Sequence, residues 1–130
     1  MPDKRALLPH RMLTIRSDQI LALQEPLFLG WLQRHIRTYF PIASAPLDQR
    51  ALRDLIEQGM QRARGYGFVE QEDVCQYVDL MFALHADFDR DDALPWAKAL
   101  LTDPDIAEPA VRMDLLMDAA RDHLGDEAST

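Results

Sequence analysis

The chain has 130 residues, which is enough for one domain with its own hydrophobic core and too few for two ordinary domains. Hydrophobic residues make up 48% of it, which excludes wholesale disorder. Acidic residues outnumber basic residues 22 to 14, and the net charge of −8 argues against generic binding to a nucleic-acid backbone. The single cysteine, Cys75, excludes an internal disulfide and a cysteine-rich zinc module.

The apolar runs of the chain are too short to cross a membrane. Basic residues near the start, among them Lys4 and Arg5, are not followed by the apolar stretch of a secretory signal. We therefore expect a soluble, cytoplasmic protein that binds neither membrane nor nucleic acid.

The predicted elements begin after a loose leader, residues 1–16, which has no hydrophobic period. Ser17 is a suitable N-cap for a first helix, and apolar residues recur after it at helical spacing. Pro26 interrupts this pattern, because proline removes a hydrogen-bond donor and clashes with the preceding turn. We expect one kinked helix or two short helices that end before Pro41, followed by a loop over residues 41–46.

Two further helices are predicted in the middle of the chain. The second begins at the N-cap Asp48 and ends at Gly65-Tyr66-Gly67, where glycine tolerates the left-handed conformation of a helix end. The third runs from about Glu70 to His85 and has the most regular amphipathic pattern in the chain. The apolar face of the second helix consists of Leu52, Leu55, Ile56, Met60 and Ala63. That of the third consists of Val74, Tyr77, Val78, Met81 and Phe82.

An aspartate-rich loop, residues 86–92, leads to a short helix from Pro95 to Leu101. The last helix is predicted to start at Pro109 and to stop at Gly125, so that residues 125–130 form a polar tail. Its buried residues are predicted to be Met113, Leu116, Met117, Ala120 and Leu124. No segment shows the alternation of apolar and polar residues that is typical of a β-strand. The sequence therefore predicts an all-α fold, a single compact, bundle-like domain of about five helices within residues 17–124.

The charge is unevenly distributed. Residues 1–64 hold ten basic and six acidic side chains, a net charge of +4, whereas residues 65–130 hold four and sixteen, a net charge of −12. On the last helix Asp114, Asp118 and Asp122 follow one another at intervals of four residues and form an acidic ridge. Like charges at this spacing cost a few tenths of a kcal/mol per pair. The ridge is either an ordinary solvated face or a surface that attracts a basic partner.

The aspartate-rich loop resembles only the first part of a calcium site. Asp87, Asp89 and Asp91 match ligand positions 1, 3 and 5 of an EF-hand loop, but position 6 is Asp92 instead of glycine and position 12 is Lys98 instead of glutamate. We therefore predict no metal site here, and a small enzyme or metal-binding domain that uses residues 87–92 is kept as the third alternative. The aspartates are expected to cap the short helix that follows.

No residue pattern predicts catalysis or a cofactor. The four histidines have no zinc-ligand spacing, and acidic neighbours raise the pKa of Cys75 and disfavour a nucleophilic thiolate. The three serines lie outside any nucleophile elbow. We therefore expect a protein that is not an enzyme, with no catalytic residue, no metal ligand and no cofactor.

Aromatic residues are the remaining candidates for a functional surface. Phe28 and Trp31, together with neighbouring leucines, make the first helix apolar almost all round, so it must be covered on more than one side, by the domain, a partner or a second copy of the chain. Hot spots on docking surfaces are commonly aromatic. The aromatic candidates for partner binding are Phe28, Trp31, Phe68, Phe88 and Trp96. Each has core packing as its alternative, and core packing is favoured for Trp96.

Part of the chain resembles a known group of proteins. The strings concerned are Tyr66-Gly67-Phe68, Asp73-Val74, Tyr77, Leu80-Met81-Phe82, Asp87-Phe88-Asp89 and Leu94-Pro95-Trp96-Ala97. They resemble a family of small helical bacterial proteins encoded beside effector and spike genes of type VI secretion systems. The resemblance extends from about Met12 to Leu124, and the chain departs from it at Pro26 and His85. It implies a cytoplasmic accessory protein that escorts an effector to the spike or neutralises a toxin.

From the residues and this resemblance together we expect a non-enzymatic, chaperone-like adaptor that binds a secreted effector or its loading partner. Its contact would be apolar, through the first helix and the region from Phe68 to Phe88, while the acidic half of the chain steers the approach. The alternative is an immunity protein that occludes a toxin through the ridge of Asp114, Asp118 and Asp122.

Overall fold

The computed structural model describes the chain from Leu23 to Ser129, with side chains as far as Gly125. The predicted leader and the predicted N-cap Ser17 lie outside the described residues. Helix α1 spans Glu25–Tyr39, and Pro26 lies in its first turn. A proline is well tolerated there because the N–H that it lacks has no partner within the helix. Among the described residues Pro26 therefore begins a helix and does not kink one.

The segment predicted as a loop contains a one-turn helix, α2, over Pro41–Ser44. Pro41 occupies its first position, and the side chain of Ser44 is buried. The Arg37 guanidinium of α1 donates hydrogen bonds to the carbonyl of Ser44 and, at 2.6 Å, to that of Leu47. A cation at a helix C-terminus satisfies carbonyls that have no partner within the helix, and this stabilises the short turn.

Helix α3 spans Gln49–Gly65 and begins as predicted, because the Asp48 carboxylate accepts a hydrogen bond from the backbone N–H of Ala51 at 2.7 Å. The helix is followed by Gly67, whose φ of +95° is a conformation that side-chain-bearing residues rarely adopt. The predicted apolar face is buried apart from Leu55, which is half-buried.

Helix α4 spans Gln71–Ala83 and is the central element of the domain. All nine residues from Asp73 to Met81 are buried, and α1, α2, α3 and the last helix contact α4. The start of the helix is tied to the chain before α1, since the Gln71 amide bonds the backbone N–H and carbonyl of Leu23 at 3.1 and 2.7 Å. The predicted apolar face is buried apart from Phe82, which is half-buried, but with four helical neighbours the predicted polar side of α4 is largely buried as well.

The C-terminal part comprises a 3₁₀ helix over Phe88–Arg90, helix α5 over Pro95–Leu101 and helix α6 over Pro109–Ser129. The starts at Pro95 and Pro109 are as predicted. The predicted stop at Gly125 is wrong, because α6 continues to Ser129. A glycine inside a helix costs about 1 kcal/mol but does not end it, and no proline follows.

The described part of the chain contains six α-helices, five of them with seven or more residues, and no strand. The predicted all-α fold is confirmed. One hydrophobic core joins α1, α3, α4, α5 and α6. In the part of the chain that is described, no helix combines the length and the apolar character needed to cross a membrane.

Candidate functional site

Three of the five aromatic residues predicted to bind a partner lie inside the domain. Phe28, Phe68 and Phe88 have no exposed surface. The rings of Phe68 and Phe88 lie 6.4 and 5.1 Å from the ring of Tyr77, which itself is fully buried in α4. These side chains pack the core and offer nothing to a partner in this conformation. The structure therefore shows core packing for these three residues.

The two tryptophans are half-buried at the edge of the core. Trp31 stacks on His35 of the same helix, with ring centroids 4.9 Å apart. Trp96 packs at 5.8 Å against His123 of α6. Each indole thus uses part of its surface within the domain.

The predicted acidic ridge lies at the surface. The residues of α6 predicted to be buried, Met113, Leu116, Met117, Ala120 and Leu124, are all buried. Asp114, Asp118 and Asp122 are exposed on the opposite side of the helix. Two large apolar residues, Val111 and Leu115, lie on that side too, with 43% and 41% of their surface exposed. Spacings of three and four residues place these five side chains in one stripe, which we call the outer face of α6.

The negative field of the outer face extends to the N-terminus of α4. Burial, and after it the neighbouring charges of Glu72, Asp114 and Glu70, raise the pKa of Asp73 to about 6. Asp114 of α6 therefore lies close enough to the start of α4 for its charge to add to those of Glu70 and Glu72. Such a group concentrates negative potential over this end of the domain.

The two arginines of α6 neutralise this face only in part. Arg121 donates to Asp118 at 2.9 Å. The Arg112 guanidinium lies 5.1 Å above the Phe68 ring and donates to the carbonyl of Leu101 at 2.7 Å. Arg112 thus covers the aromatic core and the end of α5, while Asp114 remains on the exposed stripe.

Three of the four aspartates in the loop after α4 are bonded within the protein. Arg62 of α3 donates to Asp87 at 3.0 Å and lies 3.6 Å from the buried Asp89, which also accepts from the Tyr66 hydroxyl at 2.8 Å. Asp91 accepts a hydrogen bond from the backbone N–H of Ala93 and bonds His85. The carboxylates hold the loop against α3. The predicted capping of α5 by an aspartate is wrong, since its N-cap is Leu94, without a side-chain hydrogen bond.

A cluster that the sequence did not predict lies between α1 and α4. His35 Nε2 and Asp79 Oδ1 are 2.7 Å apart, and a ligating atom of each of His35, Asp79 and Cys75 lies within 4.8 Å of the others. All three side chains are buried. Burial raises the pKa of the Cys75 thiol well above its ordinary value, and the charge of Asp79 adds to this effect. It is the only such group of potential metal ligands among residues 23–125.

Sequence reasoning missed two features of the candidate sites: the exposed apolar residues of α6 and the contact between His35 and Asp79. Val111 and Leu115 lie off the buried stripe of α6, so their exposure follows from the same helical spacing that placed the aspartates. His35 is 44 residues from Asp79, and only the packing of α1 on α4 brings the two together.

Comparisons with family models, with curated proteins and with solved structures find no match to this chain.

Proposed function

We propose that this chain is a non-enzymatic accessory protein that binds a basic surface of another protein through the outer face of α6. The observation that carries the proposal is the exposed stripe in which Val111 and Leu115 alternate with Asp114, Asp118 and Asp122. Apolar side chains supply contact area, and the carboxylates supply orientation and a faster encounter with a basic partner.

The proposed contact lies on α6 and not on the aromatic residues that the sequence suggested. A docking surface built on Phe28, Phe68 and Phe88 would require the core to open, because these side chains have no exposed area. The outer face of α6 needs no rearrangement of the backbone. The aspartates of this face repel one another, which lowers the stability of the helix. Such a cost is expected where the charges serve an interaction with a partner.

The resemblance in residues 66–97 suggests the class of partner: a secreted effector of a type VI system, or the protein that loads it, bound in the bacterial cytoplasm. In this role the chain is an adaptor, and it remains bound while the effector is delivered to the spike. A non-enzymatic role is in keeping with the protonated, buried thiol of Cys75 and with the internal bonds of the aspartate loop.

The second candidate is an immunity protein, and the grouping of Asp114 with the acids at the start of α4 favours it. A concentrated negative patch is complementary to the basic groove of an enzyme that acts on nucleic acid. The two roles share one surface and differ in the outcome of binding. An immunity protein stops the activity of its partner, whereas an adaptor joins it to a third component.

The test begins with capture of the partner from the source organism by the tagged chain and its identification by mass spectrometry. Affinity for the purified partner is then measured with the wild type and with the triple variant Asp114→Asn, Asp118→Asn, Asp122→Asn. The matched control, Asp54→Asn, Asp92→Asn, Asp105→Asn, removes three other exposed carboxylates. It changes the net charge equally and leaves the outer face intact.

We expect the outer-face variant to bind roughly tenfold more weakly or worse, since three exposed charge pairs contribute about 1–3 kcal/mol together. Wild-type binding should also weaken steeply with added salt. Equal losses in the two triple variants, or an affinity indifferent to salt, would refute the proposed surface. Inhibition of a toxin at one chain per toxin identifies the immunity role, and a ternary complex with a spike component identifies the adaptor.

A further inference from the structure

The interface between α1 and α4 contains a second feature that the proposed function does not use. His35 on α1 faces Cys75 and Asp79 on α4, which are one helical turn apart and therefore on the same side of that helix. The ligating atoms all lie within 4.8 Å of one another. Nitrogen, sulfur and oxygen donors are thus gathered in one place, although the histidine and the two α4 residues are far apart in the sequence.

One polar atom of this cluster lacks a hydrogen-bond partner. The Oδ1 atom of Asp79 contacts His35, but its Oδ2 atom is buried and has no hydrogen-bond partner. A buried carboxylate oxygen without a partner costs stability, because it has lost its hydration and received nothing in return. Asp79 itself is fully buried, so Oδ2 is directed into the protein.

A cation would satisfy all of these groups together. We propose that His35, Cys75 and Asp79 form a binding site for one divalent transition-metal ion of the zinc type. Imidazole, thiolate and carboxylate are the three side-chain ligands that zinc takes in proteins. Three protein ligands with a water molecule in the fourth position are a common arrangement for zinc, and the second oxygen of Asp79 offers a further donor close to the first.

The donor set also indicates which ions to exclude. Calcium and magnesium require oxygen ligands at high coordination number or with retained water, and a buried thiol does not suit them. A thiolate with an imidazole favours zinc and its chemical relatives, including cobalt(II).

The required movement is small. Bonds of about 2.0–2.3 Å in a tetrahedral site place neighbouring ligand atoms roughly 3.3–3.6 Å apart. His35 and Asp79 would separate from 2.7 Å to this distance, and the other donors would approach from within 4.8 Å. Binding also requires two protons to leave the donor atoms, one from the Cys75 sulfur and one from the His35–Asp79 hydrogen bond.

The surroundings hold the histidine in place. The Trp31 ring stacks on the imidazole of His35 with an interplanar angle of 12° and a centroid distance of 4.9 Å, and the Tyr39 ring lies 5.0 Å away on the same helix. The ion would join α1 to α4 inside the domain. Its effect would therefore be on folding stability, as for other structural metal sites.

The test uses the full chain without a histidine tag, freed of metal by a chelator and kept reduced by a reagent that is not a thiol. Cobalt(II) is titrated in, and absorption spectra are recorded. We expect one ion per chain and a sulfur-to-cobalt charge-transfer band, which appears only if the Cys75 thiolate is a ligand. Zinc should displace the cobalt and raise the melting temperature of the protein.

Two variants and a matched control make the result decisive. Cys75→Ala leaves the His35–Asp79 contact intact, should abolish the band and should weaken binding at least about tenfold, since even outer neighbours of a metal contribute that much. Asp79→Asn keeps the shape of the side chain, removes its charge and should also weaken binding at least about tenfold. In the control, Asp91→Asn, the exposed His85–Asp91 pair is changed and binding should persist. No stoichiometric binding, a band that survives Cys75→Ala, or equal losses in Asp79→Asn and Asp91→Asn would overturn the proposal.

Discussion

Two histidine–aspartate pairs in this protein have the same separation in different surroundings. His35 and Asp79 are 2.7 Å apart between α1 and α4, and His85 and Asp91 are also 2.7 Å apart in the loop after α4. Burial raises the pKa of Asp79 to about 6, against the opposing effect of its bond to His35. At Asp91 the backbone N–H of Ala93 lowers the pKa, and His85 lowers it further.

The difference shows that the distance between two polar groups does not by itself determine how much their contact contributes to folding stability. The buried pair has lost its hydration, and one oxygen of Asp79 has no partner. The exposed pair keeps its water and gains a backbone bond. Removal of one partner should therefore matter far more inside the domain than at its surface.

The largest expected effect is that of Asp79→Ala. This change leaves His35 buried without its partner, and losses of about 3–5 kcal/mol follow when a buried pair is broken in this way. Urea unfolding followed by circular dichroism, with a chelator present, measures the change. Asp91→Ala is the matched variant of the exposed pair, and its loss should be much smaller. Equal losses would contradict the comparison.

A double variant separates the contribution of the pair from the cost of isolating one member. His35→Leu with Asp79→Leu replaces both polar groups by apolar ones of similar size. Because apolar pairs often substitute for buried ion pairs without loss, this variant should be more stable than Asp79→Ala alone. A double variant less stable than Asp79→Ala would contradict this expectation, and one less stable than the wild type would show that the pair contributes more than its desolvation costs.

Two glycines extend the comparison to packing. A Cβ atom at Gly59 of α3 would lie 2.4 Å from the sulfur of Met81 and 3.3 Å from Val78, both buried in α4. A Cβ atom at Gly30 of α1 would have only the end of Arg34 nearby, at 3.5 Å. Both glycines are helical, so alanine improves helix propensity at each.

We expect opposite signs for the two substitutions. Gly59→Ala should destabilise by about 1–2 kcal/mol, since the overlap with Met81 exceeds the gain in propensity. Gly30→Ala should stabilise by about 0.5–1 kcal/mol. Thermal unfolding of both variants beside the wild type measures this. A gain at Gly59 equal to that at Gly30 would show that α3 and α4 pack more loosely than the structure indicates.

The features that were predictable from sequence are local ones. The cap at Asp48, the helix starts at Pro95 and Pro109 and the buried stripe of α6 depend on residues within a few turns of one another. The acidic ridge followed from the same spacing, and it is exposed. Helical periodicity and capping chemistry therefore gave the fold class and one face of the candidate site.

The features that were not predictable depend on packing between distant segments. Phe68 and Phe88 lie on either side of α4 in the sequence and meet at Tyr77 only once the helices have packed. The burial of Asp79 likewise requires α1 to cover a polar position of α4. A sequence pattern shows that a helix has a buried side, but it does not show how many neighbours surround that helix.

A further effect, much smaller than that of Asp79→Ala, concerns a buried carboxylate that has no histidine beside it. The pKa of Asp73 is raised from an ordinary value of 3.8 to about 6, by burial and then by nearby acids. The protonated form is favoured in the folded state, so its contribution is fully present below pH 3.8. It is lost as the pH rises to about 6. Asp73→Asn removes this dependence.

Asp73→Asn should therefore stabilise the protein at pH 7.5 and lose its advantage below about pH 4. The gain should be about 1 kcal/mol, because solvent screening and the favourable helix N-terminus offset part of the penalty. Urea unfolding at a series of pH values measures the difference, and the other titrating groups cancel between the two proteins. A gain that is independent of pH would mean that the asparagine acts through packing. In an Asp114→Asn background the gain should shrink, since Asp114 is one of the charges that raise the pKa of Asp73.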